Sequence, residues 1–138
     1  WFHEVSGVNF FAVVSIKQRF PGHARQAAYL ATQCQTAAGH LGRYVVVVDD
    51  DIDPSNLGDV IWAMGTRSDP ERDIDLLRNT YSSSLDPVYP KGPRKFFGSR
   101  AIIDATRPYD WIDDFPRVAE SSEEEKQKVI KKWKELFG

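Results

Sequence analysis

The segment RYVVVVDDDIDPSN, residues 43–56, runs four valines into three consecutive aspartates. Clustered carboxylates at a strand end suit a hard divalent cation such as Mg²⁺ or Mn²⁺. They also suit a phosphoryl acceptor, or a turn whose acids cap backbone amides and pair with arginines such as Arg43, Arg67 or Arg72. In open α/β sheets the carboxyl ends of the strands are where ligands bind. An autonomous metal-dependent transferase of the nucleotide-sugar type would use Asp49, Asp50 and Asp51 in the first way. Asp53-Pro54 reads as a helix N-cap followed by proline at the first helical position, which accounts for one carboxylate without chemistry.

The phosphoacceptor reading fails on the rest of the chain. It wants an aspartate ending a later strand near residue 95, where the sequence reads PRKFFGSR. The glycosyltransferase reading lacks a second acidic motif. Turn-plus-ion-pair structure is therefore the favoured reading for Asp49, Asp50 and Asp51, with metal ligation as the alternative. The remaining chemistry-bearing residues are sparse. His3, His23 and His40 share no ligand spacing, and GHLG (39–42) is a turn rather than a phosphate loop. Cys34 has no neighbouring base and reads as a small buried thiol. Ser82, Ser83 and Ser84 have no histidine at a recognisable spacing.

Periodicity supplies the elements that would position these residues. VNFFAVVSI (8–16) and RYVVVV (43–48) are near-continuous apolar runs, as expected of strands covered on both faces. Between them Ala24, Ala27, Ala28, Ala31 and Cys34 form a small-residue helix face. Leu57, Val60, Ile61 and Met64 follow helical spacing. DIDLLRNT and RAIIDAT read as short strands, separated by a Ser-, Pro- and Gly-rich loop over residues 82–98. The closing helix, 122–137, opens with a Ser122–Glu125 capping box. Its stripe of Val129, Ile130, Trp133, Leu136 and Phe137 is expected to pack on the chain's own core, the alternative being a neighbouring domain or chain. The alternation of strands and helices predicts one α/β domain over 1–138, with a mostly parallel sheet and helices on both faces.

Composition bounds the partners. At 41% hydrophobic residues the chain can bury a core, and a formal charge of −2 announces no nucleic-acid surface. No apolar run approaches the ~18 residues of a membrane span. One cysteine fits a reducing compartment, so a cytoplasmic protein is expected. The start WFHEVSGVNFF, aromatic and without an initiator Met, reads as a piece of a longer protein. Three apolar groups exceed what one small core hides: Trp1, Phe2, Phe10 and Phe11; Trp111, Ile112 and Phe115; Trp133 and Phe137. Self-association is therefore expected, with Trp111, Trp133 and Phe137 as interface candidates.

Three blocks, SIKQRFPGHARQA, GRYVVVVDDDIDPSNLGDVIWAMGTRSDPERDIDLL and SRAIIDATRPYDWIDDFP, together resemble the C-terminal domain of the UbiD family, the decarboxylases that use prenylated flavin mononucleotide. The resemblance implies a parent carboxy-lyase acting reversibly on small aromatic or α,β-unsaturated acids. It implies prenylated FMN, Mn²⁺ and K⁺ in that parent, bound by an N-terminal split-barrel domain that also carries the catalytic Glu-Arg-Glu network. It implies no catalytic, cofactor or metal residue in this chain, and a role in oligomer contacts and in closing over the cofactor domain. A simple non-catalytic oligomerisation module is the other reading. In the eukaryotic-type cinnamic acid decarboxylases of this family a lysine and a tyrosine before the acidic strand approach the cofactor. QTAAGHLGR has neither and is more similar to the bacterial aromatic-acid branch. Leu41 and Leu85, apolar residues in connections at the expected mouth, are the cleft-lining candidates.

Overall fold

A computed structural model describes residues 1–7, 10–33, 42–82, 86–88, 92, 97–119 and 121–137. Its centre is a four-stranded sheet in the order β1-β2-β4-β3. Strands β1 (Phe11–Ile16), β2 (Tyr44–Asp49) and β4 (Phe97–Ala105) run parallel, and β3 (Ile74–Tyr81) is antiparallel to β4. The expectation of a mostly parallel sheet holds. β4 begins at Phe97, two residues inside the segment read as loop.

The valine run explains why β2 sits in the middle. Val45 to Val48 are all fully buried. Side chains alternate faces along a strand, so a run apolar at every position needs cover on both sides. On one face Val46 and Val48 meet Val13 and Ile103, beneath Val60 and Ala63 of α2 (Leu57–Arg67). On the other, Val45 and Val47 meet Ala12 and Ile102, beneath Ala24 and Ala28 of α1 (His23–Gln33). Each buried valine contributes on the order of 2 kcal/mol. The alanines let α1 approach the sheet closely. Ile61, expected in the α2 stripe, is instead 59% exposed, and Ala63 takes the inward position. The edge of β1 is covered by the start of the chain, where Phe2 bridges Ala12 in antiparallel fashion. Phe11 packs against the core, so part of the aromatic start is taken up internally.

The cap of α2 differs from the sequence expectation. Asn56, not Asp53, is the N-cap, and its side chain accepts from Gly58 N at 3.0 Å and Asp59 N at 3.4 Å. The Asp53 carboxylate accepts from the Ser55 amide and hydroxyl at 2.9 and 2.7 Å, closing the preceding turn. Pro54 lies outside the helix, where its carbonyl accepts from His3 Nε2 at 2.9 Å. A side-chain acceptor stabilises a helix only next to its free amides, and those begin after Asn56. Asn56→Ala is therefore expected to lower stability by about 1 kcal/mol. Asp53→Ala should lower it less. Urea unfolding of the two variants side by side checks the order.

The short helix α3 (Pro70–Asp73) leads into β3. The closing helix α4 (Glu123–Phe137) carries the expected capping box: Glu125 N donates to Ser122 Oγ at 3.2 Å, and Ser122 N to Glu125 Oε2 at 2.9 Å. Its apolar stripe does not pack on the chain's own core as expected. Every described residue of α4 is exposed, Trp133 at 60% and Phe137 at 74%. Both faces of the sheet are already occupied by α1 and α2.

Candidate functional site

The acidic turn is built where three parallel strands end. Asp49 closes β2 and is 2% exposed. Gln18 lies just beyond β1 and Arg107 just beyond β4. Because both strands run parallel to β2, their exits flank that of β2. Arg67, the last residue of α2, reaches the same edge. Asp49 Oδ1 accepts from Gln18 Nε2 at 2.9 Å. Asp49 Oδ2 accepts from Arg67 Nη1 at 2.9 Å, from the Arg107 amide at 2.8 Å and from Arg107 Nε at 3.2 Å. Arg67 also grips Asp51 with both terminal nitrogens, each at 2.9 Å. Asp50 is exposed on the turn.

The electrostatics follow from these bonds. The hydrogen bond from Arg67 holds the Asp51 carboxyl below the ordinary carboxylate range; partial burial opposes it, and the charges of Arg67 and Arg107 reinforce it. Both oxygens of Asp49 already accept from protein donors, and Arg67 is 4% exposed. A metal ion would have to displace a buried guanidinium from two carboxylates at once, so the acidic turn does not fit a cation. Of the arginines weighed as partners, Arg67 pairs with the acidic run, whereas Arg72 pairs with Asp73 and Arg43 with Asp86. Arg107 and Gln18 were not singled out by sequence. Only the lateral order of the strands brings them to Asp49.

Other polar features of this edge are turns and clefts. Asp104 Oδ1 accepts from the Thr106 amide at 3.0 Å and its hydroxyl at 2.6 Å. Burial pushes the Asp104 carboxyl up, against the lowering effect of those two bonds. A cleft of about 560 Å³ opens beside Arg67 and Arg107, walled by Trp62 and Phe115. Trp111 is 46% exposed, and its ring lies 5.1 Å from that of Phe115. Trp133 and Phe137 stack on each other at 4.6 Å along α4. The three interface candidates are thus all solvent-facing, on two separate segments.

The opposite edge of the sheet is different in kind. The chain enters β2 there, and it also leaves β3 there, because β3 is antiparallel to β4. Leu41 and Leu85 belong to the connections before β2 and after β3, and both lie outside the described residues. Their described neighbours are joined. The Arg43 guanidinium donates to the Asp86 carboxylate and lies 4.7 Å over the Phe10 ring. Asp86 also accepts from Ser82 Oγ at 3.2 Å and Val88 N at 3.1 Å. Arg100, 6% exposed, donates to Thr32 O at 2.8 Å and to Tyr81 O at 3.0 Å.

Fold and site together define a mostly parallel α/β domain whose acidic strand end is neutralised by its own arginines. The family model for the 3-octaprenyl-4-hydroxybenzoate carboxy-lyase C-terminal domain matches residues 1–105, and the chain belongs to that family, the UbiD C-terminal domains. Uncharacterized proteins of Aquifex aeolicus and Archaeoglobus fulgidus are 34% and 37% identical to it, each over 91% of this chain. The chain spans about a quarter of the length of these relatives, 25% and 26%. Among solved structures, the UbiD-class enzyme HmfF from Pelotomaculum thermopropionicum, in complex with FMN, matches with a TM-score of 0.70 at 27% identity, over 85% of this chain and 25% of that one. The 3,4-dihydroxybenzoic acid decarboxylase of Enterobacter cloacae gives 0.68 at 26%, over 87% of this chain and 25% of that one. The vanillic acid decarboxylase of Sedimentibacter hydroxybenzoicus in its closed form gives 0.63 at 29%, over 91% and 26%.

Proposed function

We propose that this chain is the C-terminal part of a longer decarboxylase that removes, reversibly, the carboxylate of a small aromatic or α,β-unsaturated acid. The family match over residues 1–105 carries the reading. The similarity to decarboxylases of dihydroxybenzoic and vanillic acids supports an aromatic substrate. HmfF is described with FMN and, in an evolved dimeric form, with prenylated FMN, which supports that flavin in the parent. In the parent the modified flavin, together with Mn²⁺ and K⁺, would supply an electron sink, held by a split-barrel domain outside this chain. The vanillic enzyme is described in open and closed forms, which supports closure over the cofactor domain as one task of this chain. Contact between copies is the other, through Trp111, Trp133 and Phe137. The parent is read as cytoplasmic; no helix among the described residues is long and apolar enough to cross a membrane.

The chain's own residues act by shape and exclusion. Leu41 and Leu85 supply a dry wall at the mouth, where water would protonate or hydrolyse a reactive intermediate. The acidic turn serves as a strut at the far edge. The test uses the longer enzyme loaded with prenylated FMN and Mn²⁺, offered benzoic, hydroxybenzoic, furoic and cinnamic acids. Release of CO₂ from at least one is expected, with Asp50→Asn within about twofold of the parent. The chain alone should retain no flavin on gel filtration. Inertness of the loaded enzyme toward every acid would refute the decarboxylase reading. Mn²⁺ binding by the chain, abolished in Asp51→Asn, would refute the strut and favour the metal-dependent transferase.

A further inference from the structure

The outward side of α2 is left open by the described residues. Val60, Ala63 and Arg67 are buried, and the helical period puts Gly58, Ile61, Trp62 and Gly65 on the opposite side. Ile61 and Trp62 are both exposed. Gly65 is harder to account for. Glycine inside a helix weakens it relative to alanine, so its presence calls for a reason. The chain's own packing gives none: beyond the helix's own backbone, a Cβ at Gly65 would meet no atom within 4 Å among the described residues. A second helix lying close across this face supplies the reason, because a glycine lets two backbones approach. Clefts of about 560 and 430 Å³ continue the face beside Trp62, toward Phe115 and Val118. Their charge is polarised along α2. Asp59 borders the cleft at the start of the helix, and Arg117 borders the one at its end, with Thr66 and Arg67. Neither Asp59 nor Arg117 has an ion-pair partner among the described residues.

α4 carries the counterpart. Lys132 and Lys134 flank its exposed stripe near the end, and its first turn holds Glu123 and Glu124. Laid antiparallel on α2, it sets its lysines beside Asp59 and its glutamates beside Arg117, with the two helix dipoles opposed and therefore attractive. We propose that the outward face of α2 receives α4 of a second copy in this antiparallel sense. The stripe crosses at Gly65 and Ile61, and the Trp133 and Phe137 rings enter the clefts beside Trp62. The inference rests on the reading that copies meet through these two rings, and it names the surface they meet. The chain's own α4 stands clear of that surface, with every described residue exposed. A two-fold pairing makes the contact twice.

Carbodiimide cross-linking, which condenses a carboxylate and an amine in contact into an amide, tests the surface directly. The longer enzyme is assembled from equal parts of unlabelled and heavy-nitrogen-labelled copies, cross-linked, and read by mass spectrometry. The expected product joins Asp59 to Lys132 or Lys134, with mixed-label pairs present. Gly65→Gln should lower the yield of that link about tenfold, the scale of an overpacked contact. Its urea midpoint should hold or rise, since glutamine is the better helix former. Should the midpoint fall instead, Ile61→Gln, at an exposed position, takes its place with the same expected loss of the link. Links confined to peptides of one label would put α4 on its own α2 and overturn the proposal. So would links from α4 only to other surfaces, no link at all, or a yield indifferent to the substitution. Sedimentation separates this from the reading beneath it. A monomeric longer enzyme refutes contact between copies altogether, whereas an oligomer without the Asp59 link refutes this surface alone.

Discussion

Arg67→Met is expected to destabilise the chain by about 3–5 kcal/mol, the cost of breaking a buried ion pair from one side. Arg67 and Asp49 side chains are each 2% exposed, and Arg67 bridges Asp49 to Asp51. Methionine fills much of the volume but leaves the buried Asp49 side chain without its closest guanidinium, with Arg107 and Gln18 as its remaining partners. Against a total stability of about 5–15 kcal/mol for a domain of this size, that loss is a large fraction. Arg67→Lys should recover only part of it, because one ammonium cannot span two carboxylates in the planar two-pronged manner of a guanidinium. Urea unfolding measures the difference, and a loss under about 1 kcal/mol would show that the network is ornamental.

The same network gives an acid dependence of known sign. The folded-state pKa of Asp51 is lowered by its bond to Arg67. Between the folded value and the unfolded value near 3.8 the unfolded chain binds more protons, so stability rises with pH across that window. The contribution is fully present above the unfolded value and is lost as pH falls through the folded one. In Arg67→Met this part of the acid dependence should flatten, since the group that lowers the pKa is gone.

The chain is also expected to self-associate at micromolar concentration, with α4 at the contact. Val129, Ile130, Trp133, Leu136 and Phe137 lie on one side of the helix and are between 46% and 74% exposed. An isolated helix of this length is marginal in water without a surface to pack on. The two faces of the sheet are occupied by α1 and α2, and under the proposed function a second copy covers this stripe. Truncating a buried interfacial tryptophan removes about 2 kcal/mol or more, roughly thirtyfold in association. Trp133→Ala should therefore shift the chain strongly toward monomer. Trp111→Ala should do so only if the Trp111–Phe115 segment shares the contact. Sedimentation equilibrium reads both. A wild-type monomer at about 100 μM, where a micromolar association would be nearly complete, removes the assembly role.

What the sequence determined by itself was whatever local periodicity and chemistry dictate. The four valines specify a strand buried on both faces, and the alanine spacing specifies a helix that packs closely on a sheet. Ser122 and Glu125 specify the start of α4, because both halves of a capping box lie within one turn. The three quoted blocks were enough to indicate the family. Asp53 was misplaced as the N-cap for an equally local reason: an aspartate before proline and an asparagine three residues later are both good caps, and only backbone direction at 53–56 separates them. The fate of the carboxylates was decided by tertiary structure. Gln18, Asp49, Arg67 and Arg107 are far apart in the chain and meet because three parallel strands end side by side. The same holds for Arg43 with Asp86, which become neighbours where β2 begins and β3 ends. The exposure of α4 was likewise invisible in its stripe. An amphipathic pattern states that a face must be covered, and only the occupied sheet shows that this chain's own core does not cover it.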